Sequence, residues 1–158
     1  MKSRSRKFAS LLAATLLAAA PAFADDPVKD IVDQEVPALK DGSRISYRAI
    51  EKAISDACAR RRFKATVVEP GVINARWENR GHSFDVTITF NDRSYSIRYK
   101  DSERMDYNPV RNRIDDAYNE YVDGLSEHID AHLEEALDRL KKEHRIRKVA
   151  RINPRYAV

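Results

Sequence analysis

The chain carries one cysteine, Cys58, in 158 residues. No intramolecular disulfide can form, so the fold must rest on its apolar core. In an oxidising compartment a lone thiol is either buried or open to an intermolecular bond. Apolar runs are also short. The stretch from Phe8 to Ala20 falls below the roughly 20 residues that a membrane-spanning helix needs. No cysteine lies near the end of that stretch, so a lipobox and the lipid anchor it directs are not expected. Ser5 separates Arg4 from Arg6, so there is no twin arginine and Sec export is expected. No HExxH metalloprotease motif exists, because His128 is followed by Ile129.

What is present at the N-terminus has the order of a secretory signal peptide. Lys2, Arg4, Arg6 and Lys7 form a positive n-region, and Phe8 to Ala20 an apolar h-region. Pro21 breaks the helix ahead of the small-x-small site Ala22-Phe23-Ala24. Cleavage between Ala24 and Asp25 would release a soluble, unlipidated periplasmic protein. Its boundaries are then a signal peptide over 1–24, a polar lead-in over 25–44, a domain over 45–132, and a helical overhang with a basic tail over 133–158. That length suits one domain with one core.

The signal peptide changes the charge balance. The chain holds 29 Lys and Arg against 25 Asp and Glu, a net +4, and the n-region supplies all four surplus charges. The rest is neutral but polarised. Residues 139–158 hold eight Lys and Arg against Glu143 alone, or +7, which leaves −7 on residues 25–138. An acidic body with a basic tail invites an anionic envelope component or protein partner for the tail, or the body of a second copy.

Periodicity predicts a helix from Tyr47 to Arg61, with Ser46 as N-cap and Tyr47, Ile50, Ile54, Ala57 and Cys58 on one face. The period then becomes two. Phe63, Ala65 and Val67 alternate with polar residues, as do Ile73, Ala75 and Trp77. Phe84, Val86, Ile88 and Phe90 follow, then Tyr95, Ile97 and Tyr99. Pro70-Gly71, Asn79-Arg80-Gly81 and Asn91-Asp92-Arg93 supply the turns. Gln34 to Pro37 is a candidate for a further short edge strand. Asn108 as N-cap and Pro109 as first residue predict a second helix, running to Glu143. Its stripe comprises Val110, Ile114, Ala117, Tyr118, Tyr121, Leu125, Ile129, Leu133, Leu137 and Leu140. Gly124 is a weak point of about 1 kcal/mol relative to Ala. The expected fold is α+β: helix, four-stranded antiparallel meander and long C-terminal helix, with both helices on one face of the sheet. A helix of about 50 Å exceeds strands of about 20 Å. The part beyond Ile129 should therefore overhang, with Leu133, Leu137, Leu140, Arg145, Arg147 and Lys148 as interaction candidates.

Several features of Ile50 to Ile129 go together. They are Ala49-Ile50-Glu51-Lys52-Ala53-Ile54, Pro70-Gly71 followed by Ile73, Tyr95-Ser96-Ile97-Arg98-Tyr99-Lys100-Asp101-Ser102, Tyr107, and Tyr118-Asn119 with Val122 and Leu125. In these the chain resembles a family of small envelope proteins of Gram-negative bacteria, many of them described as lipoproteins. The family has no assigned reaction, so the resemblance implies a location and a fold. The chain departs from many of those proteins in lacking the lipidated cysteine.

Chemistry is sparse. His128 and His132 share a helix face at a spacing suited to zinc or copper, which makes a small periplasmic metal-binding protein the alternative function. Spacing alone supplies two ligands, and Asp123, Glu135, His82 or His144 would have to complete the site. Asp101-Ser102 reads as a strand-end turn, with no base or oxyanion hole marked. Cys58, on an apolar face, reads as a small buried hydrophobe, although Arg60-Arg61-Arg62 could activate it. The aromatics fall on the core parity, so no nucleic-acid platform is expected. Neither a cofactor nor catalysis is expected.

Overall fold

The computed structural model describes residues 25–152. The expected signal peptide, with its expected cleavage-site residue Ala24, and the last six residues lie outside them. The elements in chain order are β1 (Asp25–Pro27), β2 (Ile31–Glu35), α1 (Tyr47–Arg60), β3 (Lys64–Glu69), β4 (Val72–Asn79), β5 (His82–Phe90), β6 (Ser94–Glu103), β7 (Arg113–Asp115) and α2 (Asp116–Ile152).

The turns set the meander. Pro70-Gly71 joins β3 to β4 with Gly71 at φ +84°, the pattern of a type II turn, and a Cβ there would lie 2.9 Å from the Phe90 carbonyl. Between β4 and β5, Asn79 pairs with His82, and the two loop residues Arg80 and Gly81 both have positive φ, 50° and 83°. That is a type I′ hairpin, whose twist matches the strands it joins. Asn91 closes the next turn by accepting from the backbone N–H groups of Arg93 and Ser94. The result is a five-stranded antiparallel sheet of order β2-β6-β5-β4-β3, with β1 and β7 pairing separately. The leading strand is therefore Ile31–Glu35, slightly earlier than Gln34 to Pro37. The lead-in is part of the domain, since Val36 is buried and Ile31 and Leu39 pack against the core.

Alternation along β4, β5 and β6 places Ile73, Ala75, Trp77, Phe84, Val86, Ile88, Phe90, Tyr95 and Ile97 in one core. α1 adds Ile50, Ala53, Ile54, Ala57 and Cys58, and its N-cap Ser46 accepts from the Ala49 N–H. α2 adds Tyr118, Val122, Leu125, Ile129, Leu133 and Leu137. Arg61, just past α1, lies against Gly124, while Asp41, ahead of α1, meets His144. These two contacts set the helices antiparallel on the same face. β3 departs from expectation. It is exposed throughout, Ala65 and Val67 included, because it is the edge strand and only the preceding Phe63 is tucked under the core.

The long helix corrects two expectations. It begins at Asp116, not Pro109. Asn108 does accept from the N–H groups of Val110 and Arg111, as a cap would, but Asn112 turns left-handed at φ 49°. Arg113 then bonds back to Asn108, and Arg113–Asp115 pairs with β1. Val110 is consequently 93% exposed, and Ile114 reaches the core from a strand. The second correction concerns the overhang. Leu133 and Leu137 are buried and Leu140 is partly buried against the core. β5 and β6 have nine and ten residues, so the sheet is about 30 Å long instead of 20 Å. The segment after β2 also brings Leu39 over the end of the core. Beyond Leu140 no residue among those with a described side chain is buried.

Candidate binding site at the end of the long helix

α2 is polarised along its length. From Asp116 to Asp138 it carries eight Asp and Glu and no Lys or Arg. From Arg139 to Arg151 it carries seven Lys and Arg with Glu143 alone opposing them. Acid near the N-terminus and base near the C-terminus both favour the helix dipole, yet that effect fades within a terminal turn. Seven cations over more than three turns exceed what the helix itself can use.

The helix face that continues the core stripe past Leu140 turns polar, with His144 and the cations Lys148 and Arg151 where apolar residues would be needed for burial. Between this face and the loop from Ala38 to Asp41 lies a groove of about 1170 Å³, with Ala38, Leu39 and Leu137 as its apolar lining and Lys40, Lys141, Arg145 and Arg147 among its cations. Its acid, Asp41, is already engaged. His144 Nδ1 lies 3.4 Å from its carboxylate, and the Ser43 backbone N–H donates to it at 2.9 Å. The Ser43 bond is the main cause of an Asp41 pKa below the ordinary carboxylate value. Lys141 is held 2.8 Å from Asp138, which raises its pKa, and Arg139 lies 4.0 Å from Glu135. Among the described residues, Arg145, Arg147 and Lys148 have no such carboxylate. These three were legible in the sequence as interaction candidates. The opposite wall, Ala38 to Asp41, was not, because only the fold brings it to α2.

Leu133 and Leu137, the other candidates, belong mainly to the core. Leu137 alone of the two also reaches the groove. His128 and His132 are half-buried neighbours on α2. His132 Nδ1 faces Glu135 at 3.5 Å, and His144 is taken by Asp41. Among the described residues no three His, Cys, Asp or Glu side chains converge as metal ligands.

Polar groups elsewhere serve the fold. The Tyr95 hydroxyl donates to Asp130 at 2.8 Å and sits 2.7 Å from the Ser126 hydroxyl, pinning β6 to α2. Burial raises both the Tyr95 and the Asp130 pKa. Arg76, paired with Asp85 at 2.6 Å across β4 and β5, also reaches Ser83 and Glu103, so this outer-face cation is neutralised. The Ser102 hydroxyl hydrogen-bonds the Tyr99 hydroxyl, and its backbone N–H donates to the Asp101 carboxylate, a strand-end arrangement. Burial pushes the Cys58 thiol up to about 12, the opposite of activation. No helix among the described residues is long and apolar enough to cross a membrane. Comparisons with family models, with curated proteins and with solved structures found no match to this chain.

Proposed function

We propose that this protein is a non-enzymatic binding module of the bacterial envelope, exported to the periplasm, and that the end of α2 with its groove is the surface it uses. The signal-peptide order of Met1 to Ala24 and the resemblance to Gram-negative envelope proteins support the location. The observation that carries the binding role is the set of unneutralised cations Arg145, Arg147 and Lys148 beside an apolar floor of Leu39 and Leu137. Charges gathered against their mutual repulsion, on a helix end that has left the core, favour an anionic counterpart.

A photo-cross-linking amino acid at position 145 or 148 tests this in living cells. Discrete adducts are expected from both positions and not from position 87 on the outer face of the sheet. Absence of adducts from 145 and 148, or the same adducts from 87, would defeat the assignment.

A further inference from the structure

We infer that the counterpart is an anionic phospholipid surface, on which the end of α2 lies in the plane of the headgroups. This rests on the binding role proposed above and names its ligand class. Between Leu140 and Arg151 the helix still carries two large aliphatics, Ile146 and Val149, 57% and 49% exposed. At 3.6 residues per turn they lie about 60° apart on the side away from the groove. Lys142 falls between them and Arg145 beside them, while Lys141, Lys148 and Arg151 occupy the groove side.

An acidic protein surface would satisfy one side of such a helix and leave the other cations unused. A headgroup layer encloses the helix, so phosphates can be reached from both flanks. Ile146 and Val149 meanwhile sink toward the acyl boundary, and the lysine and arginine stems snorkel around them. A basic helix with a narrow apolar side is the pattern that holds proteins on anionic membranes without crossing them.

Flotation of the full chain, as recovered from expressing cells, with lipid vesicles tests the inference. Binding is expected to vesicles containing phosphatidylglycerol and not to pure phosphatidylcholine. It should weaken strongly as salt shortens the Debye length from about 10 Å at 0.1 M to about 3 Å at 1 M. The triple variant Arg145→Gln, Arg147→Gln, Lys148→Gln should bind on the order of a hundredfold more weakly. Ile146→Ser with Val149→Ser should lower binding with the charge unchanged. All five positions are exposed, so an unaltered thermal midpoint shows that folding is intact. Equal binding to both vesicle types, no binding at low salt, or undiminished binding by the triple variant overturns the lipid assignment. So does a protein that ignores vesicles but sediments as a salt-sensitive dimer, which would identify the occupant as a second copy. If cross-links from 145 and 148 persist while vesicle binding fails, the lipid assignment falls and the binding role stands.

Discussion

Arg61 lays its guanidinium across Gly124, so that a Cβ at Gly124 would come within 2.3 Å of Nη2 and 2.7 Å of Cζ. This glycine, near the start of α2, is thus the site where the end of α1 approaches the second helix. Alanine in place of a helical glycine is ordinarily worth about 1 kcal/mol. Here part of that gain must be spent displacing Arg61. Gly124→Ala should therefore stabilise the protein less in the native background than in Arg61→Ala. Denaturant unfolding of the four variants measures the difference, and equal gains in both backgrounds would show that the two residues are uncoupled.

Exposure should separate two residues of the same strand parity. Phe84→Ala removes a fully buried ring in contact with Phe63, Trp77 and Tyr118, and should cost about 3–5 kcal/mol. Val67→Ala, on the uncovered edge strand, should stay within about 0.5 kcal/mol. A large loss at Val67 would mean that β3 is covered.

That contrast shows what could be read from the sequence. The alternation of β5 and the stripe of α1 were legible because each encodes its own burial locally. Burial of β3 was not, since alternation cannot say which strand ends at the edge of a sheet. The Asn108-Pro109 start was misread for a related reason. Its capping hydrogen bonds do form, but β1, some ninety residues earlier, claims Arg113–Asp115 for a strand. At the proposed binding site the basic half was visible as a charge run, and the Leu39 wall depended on tertiary approach. The bond from Tyr95 to Asp130 had no local signal at all.

The turns offer a test with opposite signs. Gly71→Ala meets both a left-handed φ and the immovable Phe90 carbonyl, and should cost more than about 1 kcal/mol. Arg80→Asn keeps the type I′ turn with a residue suited to positive φ, and should stabilise by up to about 1 kcal/mol. Thermal unfolding of the two variants checks both, and a stabilising Gly71→Ala would refute the turn assignment.

The partly buried Asp130 should leave a pH signature. Burial raises its folded pKa above the ordinary value near 4. Its contribution is therefore fully present below that ordinary value and is lost as pH rises through the folded pKa. Asp130→Asn keeps an acceptor for the Tyr95 hydroxyl and removes the titration. The variant should gain stability relative to the native protein at neutral pH, and the gap should close in acid. Urea unfolding across the acid range follows it, and a gap that widens as pH falls would contradict the assignment.

Amide hydrogen exchange along α2 tests the central claim, that the helix leaves the core after Leu140 and presents Arg145, Arg147 and Lys148 with no carboxylate partner among the described residues. Slow exchange is predicted through the region of Leu125 to Leu137, where the helix packs on the core, with a sharp rise from Lys141 onward. Phosphatidylglycerol vesicles should then protect Lys141 to Arg151 and leave the rest of the helix unchanged. Equal protection up to Arg151 in the free protein would mean that the segment already has its partner within the chain, and the account of α2 as a binding surface would be wrong.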